Sequence, residues 1–160
     1  MAIRDEILSA NEQYGRTFDK GGLSMPPRRK FAVVTCMDAR LDPAKSLGLD
    51  EGDAHVIRNA GGLVSDDALR SLVISHHLLG TQEAFVIGHT DCGMLTFNND
   101  ELHARLGPEA AGIDFLPFPD VNARVQESIR VIEQSHLLPD SFSATGFVYD
   151  VGSGLLREVA

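Results

Sequence analysis

Two short segments concentrate the residues of this chain that could do chemistry. Cys36-Met37-Asp38-Ala39-Arg40 sets a thiol, a carboxylate and a guanidinium at alternate positions, and His89-Thr90-Asp91-Cys92-Gly93 adds an imidazole and the second of the chain's two cysteines. Along an extended segment, residues two apart face the same side, so Cys36, Asp38 and Arg40 can look into one space. His89 and Cys92, three apart at a turn, can both reach a common point. Two thiolates and an imidazole suit zinc, and three protein ligands leave a fourth position for water, as in a catalytic site. An iron-sulfur cluster normally takes four thiolates. The zinc deaminases need H-x-E with P-C-x-x-C, which is absent. A purely structural or redox-sensing zinc site is a rival reading, but such a site needs neither an open position nor the acid-arginine pair Asp38 and Arg40.

For the two segments to meet, the fold must deliver them. Phe31 to Cys36 is a continuous apolar, β-branched run of strand length, and Ala84 to His89 is another; strands apolar on both faces belong inside a parallel sheet. Between them, Pro43 to Gly48 reads as a short helix and Ala54 to Arg58 as a strand. A helix capped by Ser65 has Asp66 and Asp67 in its first turn, a face of Leu69, Leu72, Val73, His76 and Leu79, and a stop at Gly80. After Cys92 a helical segment is expected from near Met94, with its positive end favouring the Cys92 thiolate. Residues 107–120 read as an irregular excursion, Val121 to Ser135 as a helix, Thr145 to Val151 as a strand, and Leu155 to Val159 as part of a short antiparallel edge hairpin. The first twenty residues, with Ile3, Ile7, Leu8, Ala10, Tyr14 and Phe18 at helical spacing, predict an amphipathic helical arm.

This alternation implies an α/β fold with an open, mostly parallel sheet of order 2-1-3-4, a short antiparallel edge strand and flanking helices. In that order a crevice opens between the carboxyl ends of strands 1 and 3. Cys36 and His89 sit at those two ends.

Composition narrows the rest. The 160 residues, 43% hydrophobic and 23% charged, predict one domain spanning 1–160. A formal net charge of -9 repels a polyanion and argues against a nucleic-acid partner. The one basic cluster, Arg28, Arg29 and Lys30, reads as a solvated turn. Two cysteines are not a secreted disulfide framework. No signal-like start and no long apolar run are apparent, so no membrane partner and a cytoplasmic location are expected. Ala60-Gly61-Gly62-Leu63 lacks dinucleotide or P-loop spacing and reads as close backbone approach beside the crevice.

Cys-Met-Asp-Ala-Arg followed about fifty residues later by His-Thr-Asp-Cys-Gly resembles the pair of signature motifs of the beta-class carbonic anhydrases. The likeness runs from the first helix through Ile57-Arg58-Asn59-Ala60-Gly61-Gly62 to the last strands, in the compact, mostly bacterial form. It implies that Cys36, His89 and Cys92 bind Zn2+ and that Asp38 and Arg40 form a dyad orienting zinc-bound hydroxide. It also implies that the Gly93 N–H holds a substrate or product oxygen, and that Asp38 can become a fourth ligand in an inactive state. The implied reaction is reversible hydration of carbon dioxide to bicarbonate, with hydrolysis of carbonyl sulfide or carbon disulfide as the alternative on the same scaffold. Leu63, Val64, Met94, Leu95 and residues 115–118 are the candidates for shaping that choice. The implied assembly is a homodimer or a dimer of dimers, with the first helix and the Phe115 to Phe118 knot as contact material.

Overall fold

The protein is described here by a computed structural model covering residues 2–160. Five strands form one sheet: β1 (Phe31–Cys36), β2 (Ala54–Asn59), β3 (Glu83–His89), β4 (Ser143–Tyr149) and β5 (Leu156–Glu158), in the order β2-β1-β3-β4-β5. The first four run parallel and β5 is antiparallel to β4, as the alternation of elements predicts. Every residue of β1 is buried, which is the reason its sequence is apolar throughout.

One face of the sheet is sealed by α3 (Asp66–Leu79) and α5 (Val121–Glu133). Ala32 and Val34 of β1, Ala84 and Val86 of β3 and Val148 of β4 meet Ala68 and Leu72 of α3 and Val125, Ile129 and Ile132 of α5. Ser65 caps α3 by accepting from the Ala68 N–H, and Gly80 ends the helix in the left-handed region at φ 76°. On the opposite face Phe31, Val33 and Ile87 gather with Phe85, Phe147 and Leu47 of α2 (Pro43–Leu47).

Four elements differ from expectation by two residues or more. The first helix, α1 (Ile3–Arg16), stops before Phe18. None of its residues is buried, so no packing offsets the low helix propensity of Gly15 near its end. No helix starts at Met94. Gly93–Leu95 is a single 3-10 turn, and α4 (Asn99–Leu106) begins later because Asn98 and Glu101 form a reciprocal capping box. The last parallel strand begins at Ser143 and ends at Tyr149, because the Asp150 carboxylate turns the chain by accepting from the Gly152 and Ser153 N–H groups. α5 ends at Glu133, two residues short of Ser135. No helix among the described residues is long and apolar enough to cross a membrane.

The basic cluster is more than a solvated turn. Arg28 Nε donates at 2.9 Å to the buried carboxylate of Asp53, and the Arg29 N–H bonds the Asp53 carbonyl, tying this loop to the start of β2.

Candidate metal centre

β1 and β3 are parallel neighbours, paired from Phe31 with Glu83 to Thr35 with Ile87, so their carboxyl ends open into the same space. Cys36 ends β1, His89 ends β3, and Cys92 follows one turn later. Their potential ligand atoms all lie within 4.8 Å of one another, and the residues are only 4%, 0% and 3% exposed. Both cysteines are free thiols.

The imidazole of His89 is oriented from behind. Its Nδ1 lies 2.8 Å from the Thr90 carbonyl. A carbonyl only accepts, so Nδ1 carries the proton and Nε2 keeps a lone pair. Nε2 is buried and has no hydrogen-bond partner among the described residues. Leaving such a group unsatisfied costs about 1–3 kcal/mol. A lone pair without a partner beside two thiols fits a divalent cation of the kind that prefers nitrogen and sulfur donors.

The two thiols are tuned in opposite directions. Burial pushes the Cys36 thiol up, but its interaction with His89 and the backbone N–H groups of Asp38 and Gly61 together bring it down to about 7. Burial also raises the Cys92 thiol, here to about 11, with only the Met94 N–H opposing it and Cys36 adding to the rise. The expected helix N-terminus behind Cys92 is absent, which is why a single amide is all that favours its thiolate.

Asp38 and Arg40 do form a pair. Arg40 Nε donates to Asp38 Oδ1 at 3.0 Å, Nη2 donates to Oδ2 at 2.8 Å, and the Arg40 backbone N–H donates to Oδ1 at 2.9 Å. These bonds, the guanidinium's first and the amide's next, hold the Asp38 carboxyl well below the usual carboxylate range. Asp38 Oδ2 lies 3.8 Å from His89 Nε2, so the pinned carboxylate stands at the edge of the ligand triangle.

The sequence reading missed two residues here. Asp91, held at φ 53°, accepts from Arg40 Nη1 at 2.7 Å through its carboxylate and from Nη2 at 2.9 Å through its carbonyl. Arg40 thereby staples the two motifs together. Arg58 of β2 donates from Nε to the Cys36 carbonyl at 2.9 Å and from Nη2 to the Asp38 carbonyl at 2.8 Å, bracing the first motif from its other side. Asp91 adjoins Cys92, so its charge was an available signal; Arg58 has no ligand nearby in sequence and gave none.

The glycine pair after β2 does make a close backbone approach. A Cβ on Gly62, which has φ 65°, would fall 2.8 Å from the Cys36 nitrogen. A cavity of about 160 Å³ opens over the site, lined by Asp38, Gly93 and the apolar Met37, Ala60, Gly61 and Met94 along with both cysteines. Leu63 and Phe118 pack in the cluster behind the cysteines, with Leu95 at its edge. Val64 instead faces the core under α3 and α5, contrary to its place among the pocket candidates.

Comparison with known proteins agrees with this geometry. The family model for carbonic anhydrase matches residues 31–111. The chain is 47% identical to beta-carbonic anhydrase 1 of Mycobacterium tuberculosis over 99% of both chains. It superposes on the crystal structure of carbonic anhydrase from Streptococcus mutans with a TM-score of 0.93 and 44% identity, covering 100% of this chain and 99% of that one. A carbon disulfide hydrolase from Acidianus is 33% identical, over 96% of this chain and 87% of the hydrolase. Cys36, His89 and Cys92 therefore converge, within a near-complete match to the M. tuberculosis and S. mutans proteins, in a chain that belongs to the beta class of the carbonic anhydrase family.

Proposed function

We propose that this protein catalyses the reversible hydration of carbon dioxide to bicarbonate, with Zn2+ held by Cys36 Sγ, His89 Nε2 and Cys92 Sγ. The observation that carries the reading is the partnerless His89 Nε2 beside two free thiols, with an arginine-pinned carboxylate 3.8 Å away. Zinc held by these three residues would supply Lewis acidity able to activate water near neutral pH.

The remaining chemistry falls to the chain's own groups. Asp38, ionised and held by two guanidinium bonds, is an acceptor only; it takes a hydrogen bond from the attacking oxygen and aims a lone pair at the substrate carbon. Arg40 also restrains Asp38 from swinging onto the metal position as a fourth ligand, the inactive state expected for this pair. The N–H of Gly93, which lines the cavity, holds a substrate or product oxygen. The apolar part of the lining suits a linear, neutral molecule, which is indifferent to the net charge of -9. The proton released goes to buffer, with no histidine assigned as a shuttle; His55, His76, His77 and His103 each spend one ring nitrogen on a structural partner.

Hydrolysis of carbonyl sulfide or carbon disulfide is the second reading, motivated by the Acidianus relative. Identity favours hydration: 47% over nearly all of both chains against 33% over 87% of the hydrolase. Stopped-flow carbon dioxide hydration, hydrogen sulfide release from carbonyl sulfide and metal content on one preparation decide it. Hydration with the larger kcat/KM and one zinc per chain is expected. Dominant sulfide release would transfer the assignment to the hydrolase, and one zinc with neither activity would mark a noncatalytic zinc protein.

The same reading takes residues 1–160 as one catalytic domain, supported by the single sheet. It also makes the protein a homodimer or dimer of dimers. The support is α1, whose Ile3 and Ile7 are 71% and 62% exposed within one chain, an apolar stripe a second copy would cover. The Phe115 to Phe118 knot contributes less to such a contact than expected, because Phe118 is buried in its own chain. Sedimentation at micromolar concentration should show a species of at least two chains. A reducing cytoplasm fits ligands that must remain thiolates.

A further inference from the structure

The segment between α4 and α5 has no part in the reaction as described, yet it ends in the apolar cluster behind the metal ligands. Residues 111–118 contain no helix or strand, and Leu116 sits at φ 58°, which a side chain other than glycine rarely adopts. Side chains of α4 set this path. Asn99 Oδ1 accepts from the Phe115 N–H at 3.0 Å while its Nδ2 donates to Asp114 Oδ1 at 2.7 Å. The same Asp114 oxygen accepts from the Leu116 N–H at 2.8 Å, and His103 Nε2 donates to the Ile113 carbonyl at 2.7 Å.

What the path delivers is Phe118, only 6% exposed. Its N–H donates to the Met94 carbonyl at 3.2 Å. Its ring lies against Gly61 so closely that a Cβ there would come 2.9 Å from Phe118 Cε1 and 3.2 Å from Met94 Cγ. Phe118 thus touches two backbone turns at once: the one after β2 that contains Gly61, and the 3-10 turn after β3 that contains Met94. These are the turns that line the cavity together with Cys36 and Cys92, and Phe118 belongs to the same packed cluster as both cysteines and Met94. Residues packed around metal ligands fix the orientation of those ligands, as outer partners of a metal site generally do.

We propose that Phe118 is a positioning residue of the metal centre: clamped through Asn99, it packs the Gly61 and Met94 turns in place beside the two cysteines and thereby sets the strength and geometry of metal binding. This rests on the reading that Cys36, His89 and Cys92 hold the metal. It goes beyond that reading by assigning part of the site to a segment remote from both motifs.

The test compares wild type with Phe118→Ala, Phe118→Leu and Asn99→Ala. Zinc affinity is read by chelator competition and the sulfur-to-cobalt charge-transfer bands by absorption of the Co2+-loaded protein. Phe118→Ala should weaken zinc binding about tenfold and shift the cobalt bands. Asn99→Ala should do the same to a smaller degree, and Phe118→Leu, which refills the apolar volume, should restore most of the wild-type spectrum. If Phe118→Ala lowers only the urea midpoint and leaves affinity and bands at wild-type values, Phe118 is plain core and the proposal fails. If Phe118→Ala does not fold, Asn99→Ala decides: unchanged affinity and bands overturn the proposal. A wild-type chain that takes up no metal overturns the zinc reading itself, and this proposal with it.

Discussion

The same two strands build two regions by opposite rules. In the body of the sheet, Ala32 and Val34 of β1 and Ala84 and Val86 of β3 meet the apolar faces of α3 and α5 in a sealed core. A few residues further on, the strands end in a crevice of free buried thiols, a partnerless imidazole nitrogen and an Asp91 at φ 53°. The first region supplies stability and makes no chemistry. The second gathers nitrogen and sulfur donors that could hold a metal ion, and leans on the first to hold its geometry. Substitutions should therefore separate: crevice changes remove activity and spare the fold, core changes do the reverse.

Cys36→Ser is the strongest test of that separation. It should abolish metal binding by mass spectrometry and reduce turnover at least about a thousandfold, while the urea midpoint stays near that of the metal-free wild type. A collapse of the fold would show that the two regions are not separable.

Arg40→Ala comes next. It should keep one metal per chain and lower kcat/KM about a hundredfold, the cost of losing one preorganised electrostatic partner. The Asp38 carboxyl, now held well down by Arg40, would then rise toward its ordinary value. Activity that needs the ionised form is lost as pH falls through that pKa, so the acid limb of the pH profile should move upward. Full activity in this variant would remove Asp38 and Arg40 from the mechanism.

On the other side, Leu72→Ala removes a fully buried side chain between α3 and the sheet. A loss of about 3 kcal/mol in urea unfolding is expected, with zinc stoichiometry and kcat/KM unchanged in the folded fraction.

The smallest effect sharpens the comparison at its margin. Asp53 is buried and its carboxyl is lowered first by the Asp50 N–H and then by Arg28. A carboxyl lowered in the fold stabilises it above the unfolded pKa of about 3.9, and that contribution disappears as pH falls further. Arg28→Ala should therefore move acid unfolding to slightly higher pH, followed by circular dichroism, and leave neutral-pH activity alone.

Local signals made much of this readable in advance. The apolar run Phe31 to Cys36 and the caps Ser65 and Gly80 mark β1 and α3 because period and capping act over a few residues. The Cys, His, Cys set was legible because donor type and spacing are properties of short segments. The helix expected from Met94 failed through competition: the Asn98 capping box lies further along and starts the helix there. Asp91 and Arg58 went unassigned because their partners, Arg40 and Cys36, lie 51 and 22 positions away in sequence.

By itself, the sequence determined most of the strands and helices, the sheet type, the donor set of the crevice and the family resemblance, because each is written in residue type and short-range spacing. Only the tertiary structure decided that His89 presents Nε2, that Arg40 bridges both motifs, that Val64 belongs to the core, and that Phe118 lies behind the two cysteines. Those outcomes depend on contacts between segments far apart along the chain, which close only when packing brings the ends of β1, β2 and β3 together.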